Sequence, residues 1–140
     1  MFEHILVAVD FSDASKHALA GAVAMAREFG SRLSLVHVLA LGEDDAVWAA
    51  KQWDPFLAGA LDGVEAERLT VRALKPELGI LQVARTEGAG LVVVGTHGRT
   101  GLSHMFLGSV AERVVQLAPC AVLTVREPGR VFEPPEESAS

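Results

Sequence analysis

The chain has 140 residues, half of them hydrophobic and 21% charged, with a formal net charge of −6 at pH 7. That length suits one domain with a substantial core. The acidic balance argues against nucleic acid as the main partner, because neutralising a phosphate backbone takes a basic face. The apolar runs fall far short of a membrane span. The start, Met1-Phe-Glu-His-Ile5, has neither a basic region nor a long apolar stretch, so no signal peptide and no membrane insertion are expected. The single Cys120 cannot form an internal disulfide, which fits a reducing cytoplasm.

Taken in order, Ile5-Leu-Val-Ala-Val9 is a continuous apolar run ending at Asp10, the pattern of a parallel strand buried on both faces. Asp10, Ser12 and Asp13 are candidate N-caps for a helix whose apolar face carries Leu19, Ala22, Ala26 and Phe29 and which Gly30 stops. Leu33 to Leu39 is a second strand. Residues 40–68 are harder to read. One or two short helices are expected, with Asp54-Pro55 as a start because Pro favours the first helical position, and with Trp48 and Trp53 as packing anchors. Leu69 to Leu74 reads as a strand near a sheet edge, and Pro76 opens a helix that ends by Glu87-Gly-Ala-Gly90. Leu91 to Val94 is a fourth strand. A helix from Ser109 stops at Pro119, Ala121 to Val125 is a fifth strand, and residues 127–140 form an acidic, Pro-, Glu- and Ser-rich flexible tail after a domain over 1–126. Cys120 is expected to be an inert packing residue opening a buried strand.

The stretch from Gly95 to Ser109 is different in kind. It carries glycines at 95, 98, 101 and 108, follows a strand and meets a helix start. Glycines let backbone approach an anion without a Cβ in the way. The following helix offers unpaired N–H groups and a partial positive charge. Ser109, in the N-cap place, could cap the helix or bond a phosphate oxygen. A glycine-rich turn holding no ligand has the same composition. No Lys follows the glycines, so the loop is not a Walker A motif, and it is not G-x-G-x-x-G.

Strands and helices alternate throughout, which implies an α/β fold, a five-stranded parallel sheet with helices on both faces. Such sheets bind ligands at the carboxyl ends of the strands, where successive connections leave on opposite faces. If strands one and four are neighbours, Asp10 and the glycine loop face each other across that crevice. A carboxylate beside phosphates is useful when a Mg²⁺ ion or a ribose hydroxyl offsets the repulsion; otherwise Asp10 is a helix N-cap.

On Ile5-Leu-Val-Ala-Val-Asp10-Phe-Ser and on Gly95-Thr-His-Gly-Arg-Thr-Gly-Leu-Ser-His-Met-Phe-Leu-Gly-Ser-Val-Ala-Glu-Arg-Val114, the chain resembles the universal stress protein family. The second block matches the signature of its ATP-binding branch, G-x2-G-x9-G-[ST], at every defined position. The resemblance implies a Rossmann-like sheet, similar to the adenine nucleotide alpha-hydrolases, with strand order 3-2-1-4-5. It implies ATP with Mg²⁺ as ligand and a homodimer made by the last strand, Val122 to Val125. Carried over by position, Gly95, Gly98, Gly108 and Ser109 would hold phosphates and ribose together with the backbone at Val110. Arg99 would reach phosphate oxygens. Asp10 would meet the ribose or the Mg²⁺, with Ala8 and Val9 as the floor. Val38, after His37 at the end of strand two, would offer its backbone to adenine, and Val94 would pack near the sugar or base. The chain departs from the family pattern in a shorter connection between strands two and three, in Leu74 where Gly often precedes the x-Pro (here Lys75-Pro76), in Gly90 before strand four and in Ala121 after the Cys.

His97 and His104 lie in the glycine loop, as phosphate donors or as solvated loop residues. No Cys/His cluster has zinc spacing, and Ser12 and Ser109 lack a nucleophile-elbow context. The reading that follows is a nucleotide-dependent regulatory dimer in the stress response, with an unidentified protein partner. With no Walker Lys and no evident base, hydrolysis would be slow at most. The alternatives are an ATPase or nucleotidyl-transfer enzyme relying on His97, and a dimer that acts only through protein contacts. A receiver domain fits poorly, because Lys75 follows strand three and Arg126 follows strand five.

Overall fold

The structure, a computed structural model, describes residues 2–42, 45–96 and 107–127. Its elements are β1 (His4–Ala8), α1 (Asp13–Phe29), β2 (Arg32–Ala40), α2 (Ala46–Leu57), β3 (Ala66–Ala73), α3 (Pro76–Thr86), β4 (Leu91–Gly95), α4 (Ser109–Leu117) and β5 (Ala121–Val125). The five strands form one sheet in the order β3-β2-β1-β4-β5, every pair parallel.

Because side chains alternate across a strand, the apolar runs of β1, β2 and β4 feed two cores. Ile5, Val7, Leu33, Leu35, Leu91 and Val93 point to one face, where Ala18, Leu19, Ala22 and Val23 of α1 and Trp53 and Phe56 of α2 cover them. Leu6, Val36, Val92 and Val94 point to the other, under Ile80, Val83 and Ala84 of α3 and Ala111 and Val114 of α4. The connections therefore change face between β1 and β4. Leu19 is fully buried in the first core, and a Leu of this kind costs about 2–5 kcal/mol when cut to Ala.

Local signals explain most element ends. Ser12 is the N-cap of α1, its side chain accepting from the Ser15 amide, and Gly30 closes the helix in the left-handed conformation with φ 66°. Pro76 stands at the first position of α3.

Several expectations are corrected. Asp54-Pro55 does not start a helix. One helix begins at Ala46 and runs through Pro55, because Ala49, Trp53 and Phe56, spaced four and three apart, bury one face of it. The cap of α4 is Gly108, and Ser109 is the first helical residue. Phe29, placed on the buried face of α1, is 57% exposed and packs its ring 5.7 Å from that of Phe2. Strand β2 is one residue longer at each end than Leu33 to Leu39, running from Arg32 to Ala40, since β3 pairs with it as far as Ala40 opposite Ala73. Strand β5, which Cys120 precedes, is a half-buried edge strand and not a buried one. The residues from 128 onward lie outside the described residues.

Candidate functional site

Where the connections part, at the carboxyl ends of β1 and β4, a cavity of about 320 Å³ opens, toward the smaller end of the range for ligand pockets. Three elements carry its chemistry: the turn after β1, the end of β4 with the start of α4, and an apolar wall from β2 and α3.

The turn after β1 is built around Phe11, which has a positive φ of 64°. That conformation is unfavourable for a bulky side chain and persists only where its surroundings enforce it. Here they do. The Phe11 ring lies 4.6 Å from the ring of His37 and meets Trp53, Phe56 and Trp48 edge-on at 5.1, 5.4 and 5.7 Å. Edge-to-face packing of this sort adds about 0.5–1.5 kcal/mol per pair beyond area burial. His37 is buried, and its Nδ1–H donates to the Val9 carbonyl at 2.7 Å; a carbonyl only accepts, which fixes that nitrogen as the donor. The Val9 amide in turn donates to the Val36 carbonyl at 2.8 Å. With the chain clamped on both sides, Phe11 points into the aromatic cluster and Asp10 lines the cavity. Asp10 is not a helix cap. Its Oδ1 accepts from the Ser12 amide at 3.0 Å and from the Ser12 hydroxyl, while Ser12 caps α1.

At the end of β4 the backbone passes very close to α1. A Cβ at Gly95 would lie 2.8 Å from the Ala14 carbonyl oxygen, 2.9 Å from its carbon and 3.0 Å from its Cβ. Gly95 is therefore needed for helix–strand packing whether or not an anion is bound. Beyond it, the Thr96 amide donates to the Val125 carbonyl at 3.1 Å, and the Thr96 carbonyl accepts from the Gly108 amide at 2.7 Å. That second bond ties the two ends of the glycine-rich segment together and delivers the chain to α4. Gly108 has no side chain to cap the helix, and the first intrahelical bond is made by the Glu112 amide to the Gly108 carbonyl. The amides of Ser109, Val110 and Ala111 thus belong to the first turn, whose N–H groups have no partner within the helix. All three residues line the cavity, so the positive end of the α4 dipole is directed at it.

The apolar lining is Val36 and Val38 of β2 with Pro76 and Ile80 of α3, joined by Val94 of β4, a wall suited to a flat hydrophobic group. The arrangement can hold an apolar ring against β2 and α3, a hydroxyl-bearing group at Asp10 and an anion at α4.

Of the residues expected from sequence, Ala8, Val9, Asp10, Val38, Val94, Gly95, Gly108, Ser109 and Val110 all line this one cavity. Gly98 and Arg99, with His97 and His104, lie outside the described residues. Sequence reasoning missed Ser15, Val36, His37, Pro76, Ile80, Thr96 and Ala111 as cavity residues. His37 sits inside an apolar strand run, where a His reads as a core residue. Pro76 and Ile80 give only helix signals until the chain folds. Among the described residues no group of three or more His, Cys, Asp or Glu could hold a metal ion by itself. Mg²⁺ commonly takes one or two carboxylates plus substrate phosphates and water, so the single Asp10 suits an ion that arrives with a phosphorylated ligand. No helix among the described residues is long and apolar enough to cross a membrane.

The sequence of residues 1–126 matches the model of the universal stress protein family. A universal stress protein of Thermus aquaticus, encoded in the QAH/OAS sulfhydrylase 3'region, is 40% identical over 137 residues, spanning 90% of this chain and all of that one. Among solved structures, the protein MJ0577 superposes with a TM-score of 0.78 at 25% identity, covering 93% of this chain and 99% of its own. The universal stress protein of Archaeoglobus fulgidus in complex with dAMP gives a TM-score of 0.70 at 29% identity, over 89% of this chain and 98% of that one.

Proposed function

Because the chain belongs to the universal stress protein family, we propose that it binds an adenine nucleotide, ATP with Mg²⁺, in the cavity between β1 and β4 and acts as a nucleotide-dependent regulatory dimer. One observation carries the reading. A single cavity brings together the apolar wall of Val36, Val38 and Ile80, the Asp10 carboxylate and the first-turn amides of α4. An adenine base, a ribose and a phosphate chain need these three environments in that succession. The relative bound to dAMP has the same fold and supports the class of ligand.

In this reading the base lies on the wall, with the backbone at Val38 at its edge. Asp10 accepts from a ribose hydroxyl or takes part in holding the Mg²⁺, which neutralises charge between the phosphates and the carboxylate. Gly95, Gly98, Gly108 and Ser109, the Val110 amide and Arg99 hold the phosphates. The residues of the site bind and orient. With no lysine in the Walker position, hydrolysis is slow at most. The half-buried edge strand β5 (Ala121–Val125) is the surface for the second copy, because an unpaired apolar edge is a template for strand pairing, and Val122 to Val125 form that contact.

Gly108→Ala tests the reading. Gly108 has φ −60° and ψ 153°, a conformation any residue adopts, so the substitution imposes no left-handed backbone strain and adds a methyl group at the start of α4. The nucleotide affinity of this variant, measured by calorimetry, is expected to fall at least tenfold while the melting temperature of the ligand-free protein holds. Unchanged affinity would contradict a phosphate site at α4.

A further inference from the structure

A buried glycine in the first half of α3, Gly79, has no turn to make. Within a helix, Gly costs about 1 kcal/mol relative to Ala, so its presence calls for a local cause. A Cβ at Gly79 would lie 2.7 Å from both methyl carbons of Val38 and 3.3 Å from the Ala73 Cβ. Val38 cannot turn aside. Two of the three staggered positions on its Cβ face α3, so every rotamer leaves at least one methyl group there. Strand β2 cannot retreat either, since it is paired with β1 on one side and β3 on the other. A side chain at 79 must therefore displace α3 or push Val38 out of place.

The residues on either side of this contact are cavity residues. Val38 lines the cavity from β2, and Pro76 and Ile80 line it from α3. The distance between α3 and β2 at Gly79 thus sets the shape of the apolar wall. Gly79 itself is not among the lining residues. We propose that Gly79 is a positioning residue for the base: its missing side chain seats α3 against Val38 and so fixes the wall on which the base of the nucleotide rests. This deepens the nucleotide reading given above and rests on it.

The test uses the full chain as wild type, Gly79→Ala, Val38→Ala and the Gly79→Ala/Val38→Ala pair. Each is titrated with ATP and Mg²⁺ and, separately, with inorganic tripolyphosphate, which carries the charges but no base. The expected result is at least a tenfold loss of ATP affinity in Gly79→Ala with tripolyphosphate affinity held within twofold. In the double variant, ATP affinity returns to that of Val38→Ala alone, because the clashing methyl groups are gone. Helix propensity alone would make Gly79→Ala neutral or stabilising and would give no such rescue. ATP affinity within twofold of wild type in Gly79→Ala would overturn the proposal, and so would equal losses for both ligands. Should Gly79→Ala not fold, the double variant decides. Binding equal to Val38→Ala supports the proposal, and binding tenfold weaker than Val38→Ala overturns it. A wild-type protein that takes up no ATP would instead overturn the nucleotide reading itself.

Discussion

Gly95 is the first residue of the G-x2-G-x9-G-[ST] signature, yet its missing side chain is explained by the fold alone. The perturbation is Gly95→Ala. The new Cβ would sit 2.8 Å from the carbonyl oxygen and 2.9 Å from the carbonyl carbon of Ala14, well inside van der Waals contact. These are backbone atoms in the first turn of α1 and cannot rotate away; relief requires moving the start of α1 off β4. Two neighbours of the contact would be disturbed with it. Ser15 lies on the cavity, and Ser12 caps α1 while bonding Asp10. Overpacking of this kind costs about 1–3 kcal/mol. At about 2 kcal/mol, and with about 3 °C per kcal/mol for a chain of this size, the melting temperature falls by about 6 °C. The assay is thermal or urea unfolding of nucleotide-free wild type and variant, so that no ligand contributes. A ligand-free variant with an unchanged midpoint and abolished nucleotide binding would refute the reasoning, since the space at Gly95 would then serve the ligand rather than α1.

Three further outcomes are expected. His37→Leu removes the donor to the buried Val9 carbonyl and lowers stability by about 1–3 kcal/mol, read from the urea midpoint; an unchanged midpoint would mean the clamp on the β1 turn is idle. Trp53 is 4% exposed and Trp48 38%, so acrylamide should quench the fluorescence of Trp53→Phe strongly and that of Trp48→Phe weakly, and the reverse order would contradict the packing of α2. Burial raises the Cys120 thiol above the ordinary value of 9.0. Because the folded value is the higher one, the neutral thiol favours the folded state. This contribution is full below about 9 and is lost as pH rises through the raised value. Cys120→Ser should therefore flatten part of the alkaline decline in stability, and an identical pH profile for the two proteins would count against burial of the thiol.

Much of the framework was readable because the chain states it with strong local signals. The runs of β1 and β4 are uniformly apolar as two-sided burial demands. Ser12 and Gly30 punctuate α1, and alternation of element types implies a parallel sheet. The glycine spacing pointed to the end of β4, and the cavity lies there. What escaped was decided by tertiary contacts. Nothing in Phe11 announces a positive φ; that follows from the ring cluster formed with His37, Trp48, Trp53 and Phe56. Asp54-Pro55 carries a helix-start signal that the packing of Trp53 and Phe56 overrides. The cap of α4 shifts by one residue, from Ser109 to Gly108, because the Gly108 carbonyl already accepts the first intrahelical bond, from the Glu112 amide. Gly79 looks like a plain propensity cost in sequence and acquires a reason only when Val38 is placed beside it. Gly98 and Arg99, the middle of the signature, lie outside the described residues.

Binding of nucleotide by the cavity between β1 and β4 is tested most directly on protein purified without added nucleotide. One portion is denatured and its released small molecules separated by ion exchange, and the rest is titrated with ATP and Mg²⁺ by calorimetry. Adenine nucleotide in the extract, or saturable binding of one ATP per chain that Gly108→Ala weakens, is the predicted result. An empty extract together with a flat titration would contradict a nucleotide site and leave the protein as a scaffold acting through its surfaces.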